Sequence, residues 1–272
     1  MSFKQKLEKI VKKNNSLLCV GLDTDLEKIP QYLKNYENPI FSFNKQIVDS
    51  THNLVCAYKP QIAYYSALGI KGMRSLLKTI EYVKTKHPEI PIILDAKRAD
   101  IASTSEQYAK EVFDVFMADA VTVNPYFGLD ALIPFLQRKD KGIFVIGRTT
   151  NRSANDFQDL MLNGKPLYMH VAEKVVRWNK TYNNCLMVVA ATWDNELKKI
   201  RKIAPDMFFL VPGIGTQGGD LNKVLKNGLR KDKSGLILNI SRAIIYSASN
   251  KEFGKSARQK AQEYKDLINK YR

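Results

Sequence analysis

The chain has 272 residues, 44% of them hydrophobic and 26% charged, with only 14 Gly and 10 Pro; this excludes a disordered or fibrous protein and fits one α/β barrel or a small two-domain protein. Lys and Arg outnumber Asp and Glu by 43 to 27, a net charge of +16 that suits an anionic partner without choosing between nucleic acid, an anionic surface and a small anionic substrate. No apolar run approaches about 18 residues and the stretch Met1 to Lys6 lacks an apolar centre, which excludes a membrane-spanning helix or signal peptide and predicts a cytoplasmic protein.

Residues 2–13 carry Phe3, Leu7, Ile10 and Val11 at helical spacing, predicting an amphipathic helix that closes one end of the fold. Residues 16–23 are a compact apolar run that delivers Asp23 at its C-terminal end, the pattern of a strand buried on both faces. The same unit recurs at 54–59, which ends in Lys59 and Pro60 before a long helix to about residue 84. It recurs at 91–96, leading through Lys97 into a helix over 101–117, and at 119–124, followed by Pro125 and a helix near 128–138. A fifth strand, 142–147, has a longer connection to a helix over 167–180. Strands at 185–190, 207–211 and 235–240 follow, with helices at 193–203, near 219–228 and, after the last strand, one short and one longer helix. Eight strand–helix units without an interdomain linker predict a single (β/α)₈ barrel domain over 1–272. An open doubly wound sheet fits less well, because the Gly21-Leu22-Asp23 turn is no dinucleotide fingerprint. Cys19, Cys56 and Cys185, odd in number and set in apolar runs, read as buried thiols. The cluster Lys198, Lys199, Arg201 and Lys202 reads as a solvated helix face, since it has no interleaved aromatics.

In such a barrel the active site lies at the C-terminal ends of the strands. That rule selects Asp23, Lys59, Asp95, Lys97, Asn124, Gln217 and Arg242. Lys59 ends an apolar strand, so its ammonium needs a partner, and the adjacent third strand offers a carboxylate. Asp95 and Lys97 are two apart and face one side of an extended segment. Asp100 and Thr104 are four apart and are expected on one face of the next helix, near its positive end. An array of Lys59, Asp95, Lys97 and Asp100 is a poor device for stability, which points to a ligand. Two loops suit a phosphate: the glycine-rich stretch 211–219, which contains Gln217 and Gly218, and 239–244 at the start of a short helix, with Ser241 and Arg242. Thr149-Thr150-Asn151 offers hydroxyl and amide groups to a base edge. His52, His87 and His170 are scattered and predict no metal site.

Asp95-Ala96-Lys97-Arg98-Ala99-Asp100-Ile101 resembles the Asp-x-Lys-x-x-Asp signature of the orotidine 5'-monophosphate decarboxylases. Gly21-Leu22-Asp23, Tyr58-Lys59-Pro60-Gln61, Val123-Asn124-Pro125-Tyr126, the 212–218 loop and Ser241-Arg242 are similar to further motifs of that family in the same order, most like its longer bacterial branch. The resemblance implies a cofactor-independent decarboxylase of a nucleotide monophosphate in pyrimidine biosynthesis. It gives Asp23 and Lys59 the ribose hydroxyls, Asp95 a place beside the substrate carboxylate, and Lys97 the stabilisation and protonation of C6. It gives Gln217, the loop amides and Arg242 the 5'-phosphate, and Thr150 the pyrimidine. It places Asp100 and Thr104 in the other subunit's site, implying a homodimer with shared active sites. Ala99 and Ala190 stand where the family often has Gly, so a positive φ at Ala99 would be strained. The alternatives are a magnesium-dependent sugar-phosphate decarboxylase or another phosphate-binding barrel lyase, an aldolase that uses Lys97 as a Schiff base, and a nucleic-acid binder suggested by charge alone.

Overall fold

The computed structural model describes residues 1–215 and 219–272. In chain order the elements are α1 (Phe3–Asn14), β1 (Leu18–Gly21), α2 (Pro39–Thr51), β2 (Ala57–Lys59), α3 (Ile62–Ser66), α4 (Gly69–Lys86), β3 (Ile93–Arg98), α5 (Ala102–Lys110), β4 (Ala120–Val123) and α6 (Ile133–Leu136). Then come β5 (Gly142–Arg148), β6 (Met161–Leu162), β7 (Lys165–Pro166), α7 (Leu167–Tyr182), β8 (Cys185–Val189), α8 (Asp194–Ile203), β9 (Phe209–Pro212), α9 (Leu221–Gly228), β10 (Leu236–Ile240), α10 (Arg242–Ile245) and α11 (Phe253–Lys270). Eight parallel strands run in the order β2-β1-β10-β9-β8-β5-β4-β3, while β6 and β7 form a separate two-stranded ribbon. The two ends of that order meet: Tyr58 N donates to Pro91 O at 3.1 Å and Asp95 N to Pro60 O at 2.9 Å. The barrel therefore closes through isolated bridges rather than a full ladder.

Most of the strands are predominantly apolar because helices cover them outside and packed side chains fill them inside. β1, β4, β8 and β10 are buried at every position. The end of the barrel away from the strand C-termini is plugged by α1. Its start is fixed by a capping box in which Ser2 and Gln5 satisfy each other's backbone amides. Phe3 packs edge-on against Phe144, with ring centroids 5.7 Å apart. A Cβ at Gly142 would lie 2.4 Å from the Phe3 ring, so only glycine leaves room for the plug.

Three differences from the sequence reading have physical causes. The helix expected to run unbroken to about residue 84 is two, α3 and α4, split at Leu68 and at Gly69, whose φ is +60°. The expected succession also omits α2, which buries Ile40, Phe43, Ile47 and Val48 beneath an Asn38 cap. Arg201 is not on a solvated face. It is buried over the Phe209 ring at 3.8 Å, and its guanidinium donates to the carbonyls of Gly228, Ala204, Met207 and Gly235, tying α8 to the chain entering β9 and β10. The three cysteines are buried and free; burial pushes the Cys56 and Cys185 thiols up to about 12, which makes them unreactive. No helix among the described residues is long and apolar enough to cross a membrane.

Candidate active site

A cavity of about 220 Å³ opens at the C-terminal ends of the strands. Asp23 follows β1, Lys59 ends β2, and Asp95 and Lys97 lie on β3. They form one alternating chain of charge: Asp23 Oδ1 to Lys59 Nζ 3.6 Å, Lys59 Nζ to Asp95 Oδ2 3.0 Å, and Asp95 Oδ1 to Lys97 Nζ 2.7 Å. Its two ammonium groups differ sharply in exposure. The Lys59 side chain is 4% exposed and that of Lys97 49%, so the first ammonium is locked and the second faces the cavity. Burial pulls the Lys59 ammonium down, but the carboxylates of Asp23 and Asp95 outweigh it and hold its pKa above the ordinary value. Burial likewise pushes Asp95 up; Lys59 and Lys97, with hydrogen bonds from Lys97 and Thr122, overcome this and hold the carboxyl well below the usual range. At neutral pH the carboxylate is therefore ionised. Asp23 Oδ1 is buried and accepts no hydrogen bond among the described residues; its one charged neighbour in the array is the Lys59 ammonium at 3.6 Å.

Local backbone makes this arrangement possible. Between Leu94 and Arg98, β3 carries more residues than the facing stretch of β4, from Val121 to Val123, a bulge that re-aims the strand end. Lys97 sits in it with φ +49°, the left-handed region that costs a non-glycine residue of order 1–3 kcal/mol. The strain anticipated at Ala99 is carried instead by Lys97 and by Ala102, at φ +32°. Ala190 fits the packed interior, fully buried and donating its amide to Arg148 O at 2.9 Å.

Thr150, Ser241 and Arg242 also line the cavity. Ser241 Oγ donates to Gly21 O at 3.0 Å, and a Cβ on Gly21 would meet the Ser241 Cβ at 2.7 Å, which explains the glycine before Asp23. Gly213 and Gly215, at φ +98° and +91°, turn the chain after β9; Gln217 and Gly218 lie outside the described residues. Asn124 is exposed and does not reach the cavity: its side chain accepts from Tyr126 N at 3.1 Å and caps the following turn. Asp100 and Thr104 are absent from the cavity wall as well. Asp100 does not share a helix face with Thr104, because α5 starts only at Ala102; its carboxylate accepts from Ile101 N. The array is thus completed by Asp23, and Asp100 stays outside it.

Asn239, the first residue of the 239–244 stretch expected to suit a phosphate, lines the cavity from β10. Other residues at or behind the wall were not anticipated: Thr122 lines it from β4. A fully buried guanidinium, Arg148, stacks 4.1 Å from the Trp193 ring and bonds Gln158 Oε1 and Asp159 Oδ2. Gln158 Oε1 also accepts from Thr149 N, and Trp193 donates to Thr149 O at 2.8 Å. Arg148 therefore fixes the segment that presents Thr150.

Residues 16–257 match the model of the Orotidine 5'-phosphate decarboxylase / HUMPS family. The chain belongs to that family. Among its relatives, the orotidine 5'-phosphate decarboxylase of Cellvibrio japonicus is 50% identical over 99% of this chain and 98% of its own. That of a Janthinobacterium species is 46% identical over 100% and 99%. The solved OMP decarboxylase of Leishmania donovani superposes with a TM-score of 0.86 at 36% identity, covering 100% of this chain and 98% of the other. The charged chain at the strand ends is thus a feature of a member of this decarboxylase family.

Proposed function

We propose that the chain decarboxylates orotidine 5'-monophosphate to uridine 5'-monophosphate in pyrimidine biosynthesis, as one barrel domain without a cofactor. The observation that carries the reading is the Asp95–Lys97 pair, a held carboxylate and a half-exposed ammonium 2.7 Å apart on the cavity wall. Asp95 lies beside the substrate carboxylate. As the C6–carboxylate bond breaks, the electron pair stays on C6 and carbon dioxide leaves. Lys97 stabilises that charge and then passes a proton from Nζ to C6, recovering it from solvent. The charge is in position before the reaction, so little reorganisation is needed.

Asp23 and Lys59 hold the ribose hydroxyls, Thr150 reads the pyrimidine, and Ser241 and Arg242 with Gln217 and Gly218 bind the 5'-phosphate. Asp100, partly buried, and Thr104, exposed, do not line this chain's cavity and serve the site of a second copy in a cytoplasmic homodimer. The test is the ultraviolet absorbance of orotidine 5'-monophosphate mixed with purified protein in buffer containing a chelator. Conversion is expected for the wild type, with a loss of about 10³-fold or more in a folded Lys97→Ala variant. Turnover near wild type in that variant overturns the role of Lys97; activity restored only by magnesium overturns the cofactor-free reaction.

A further inference from the structure

Thr122 is the middle of the apolar run Val121-Thr122-Val123 and is 1% exposed. Burying a hydroxyl on such a strand is unfavourable unless it is bonded, and valine has nearly the same shape without that cost. The hydroxyl is bonded twice. Its Oγ1 accepts from the backbone N of Lys97 at 3.0 Å and donates to Asp95 Oδ1 at 2.8 Å. Asp95 Oδ1 is the same oxygen that receives Lys97 Nζ at 2.7 Å. A hydroxyl has a single proton, so the polarity is settled by its neighbours: the carboxylate takes the proton and the amide takes a lone pair. One side chain thus pins both ends of the bulge, the carboxylate at its start and the strained φ +49° backbone of Lys97.

We propose that Thr122 is a positioning residue that holds the bulge of β3 in the one geometry that sets the Lys97 ammonium against Asp95 and toward the substrate. The inference rests on the decarboxylase reading above. Strain in Lys97 persists only where the surroundings over-determine it, and Thr122 supplies the bond from outside the strand. It touches Asp95 and Lys97 rather than the phosphate or ribose contacts, so its loss acts on the chemical step more than on binding.

The experiment compares Thr122→Val with Thr122→Ser on orotidine 5'-monophosphate, alongside the wild type. Thr122→Val is expected to lower kcat by about 10²-fold, the cost of a catalytic group displaced by about an ångström, with KM changed only a few-fold. Thr122→Ser, which restores both bonds, is expected within a few-fold of wild type. A kcat for Thr122→Val within threefold of wild type, or Thr122→Ser as impaired as Thr122→Val, overturns the proposal. Hydrogen exchange at the Lys97 amide, followed by NMR without substrate, gives a readout that needs no turnover. Slow exchange in the wild type and in Thr122→Ser supports the bond; an unprotected amide in the wild type overturns it even if Thr122→Val fails to fold. Absence of wild-type turnover would sink the reaction itself and leave amide exchange to decide on Thr122.

Discussion

Arg242, proposed to bind the 5'-phosphate, is exposed just past β10 at the start of α10, so its guanidinium would take up that role without deep desolvation. Arg242→Ala is expected to raise KM for orotidine 5'-monophosphate by about 10- to 100-fold, the worth of a lost hydrogen bond to a charged group, with a smaller change in kcat. An unchanged KM in steady-state assays would remove Arg242 from phosphate binding. Residues of this kind were legible in the sequence because a charge closing an apolar strand has to be held by a partner or a ligand; Lys59, Asp95 and Lys97 announce themselves in that way. Thr122 does not. A threonine between two valines is ordinary strand composition, and its importance lies in a bulge on the neighbouring strand that no spacing reveals. Arg148 and Arg201 were hidden for the opposite reason. Their charge suggests solvent, whereas Trp193 and Phe209, distant in sequence, supply the ring faces that make burial tolerable.

Among the elements, the break between α3 and α4 shows what the helical pattern conceals. The apolar spacing continues across it and there is no proline, so the sequence reads as one helix. The break lets Tyr65 turn inward, where its hydroxyl donates to Leu22 O at 2.7 Å, next to Asp23. Gly72 makes the tight join possible, because a Cβ there would lie 1.9 Å from Tyr65 O. Gly72→Ala is therefore expected to destabilise the protein by about 1–3 kcal/mol, read as a lower urea midpoint; an unchanged midpoint would show that the join relaxes freely. By contrast, α2 carried a complete helix signature, with Asn38 as cap and Pro39 in the first turn, and was there to be read. The strand order and barrel closure were legible because parallel strands need crossovers, and eight strand–helix units leave few ways to arrange them.

For the molecule as a whole, acid sensitivity has an identifiable contributor remote from the cavity. His52 and His87, at the C-terminal ends of α2 and α4, stack with ring centroids 4.1 Å apart. Burial and then the charge of His52 and of Lys13 pull the His87 pKa below its ordinary value of 6.5, only partly opposed by Glu89 and Asp49. A group whose pKa is lower folded than unfolded takes up a proton on unfolding, so its contribution is present above pH 6.5 and is lost as the pH falls through that value toward the folded one. His87→Gln is expected to narrow the difference between urea midpoints at pH 7.5 and pH 5.5, a pair of conditions about one unit either side of the imidazole range. An identical difference in both proteins would assign the acid sensitivity elsewhere.

The seam between β2 and β3 is where the barrel has isolated bridges instead of a ladder, and it is also where Lys59 and Asp95 meet at 3.0 Å. A ring of staves is only as sound as its weakest joint, and here that joint is riveted by the charges assigned to substrate. On the proposed roles, catalytic and architectural selection fall on the same two side chains. A descendant of this chain that abandoned the reaction would still have to keep the rivet, or replace it with apolar packing, before Lys59 and Asp95 were free to drift.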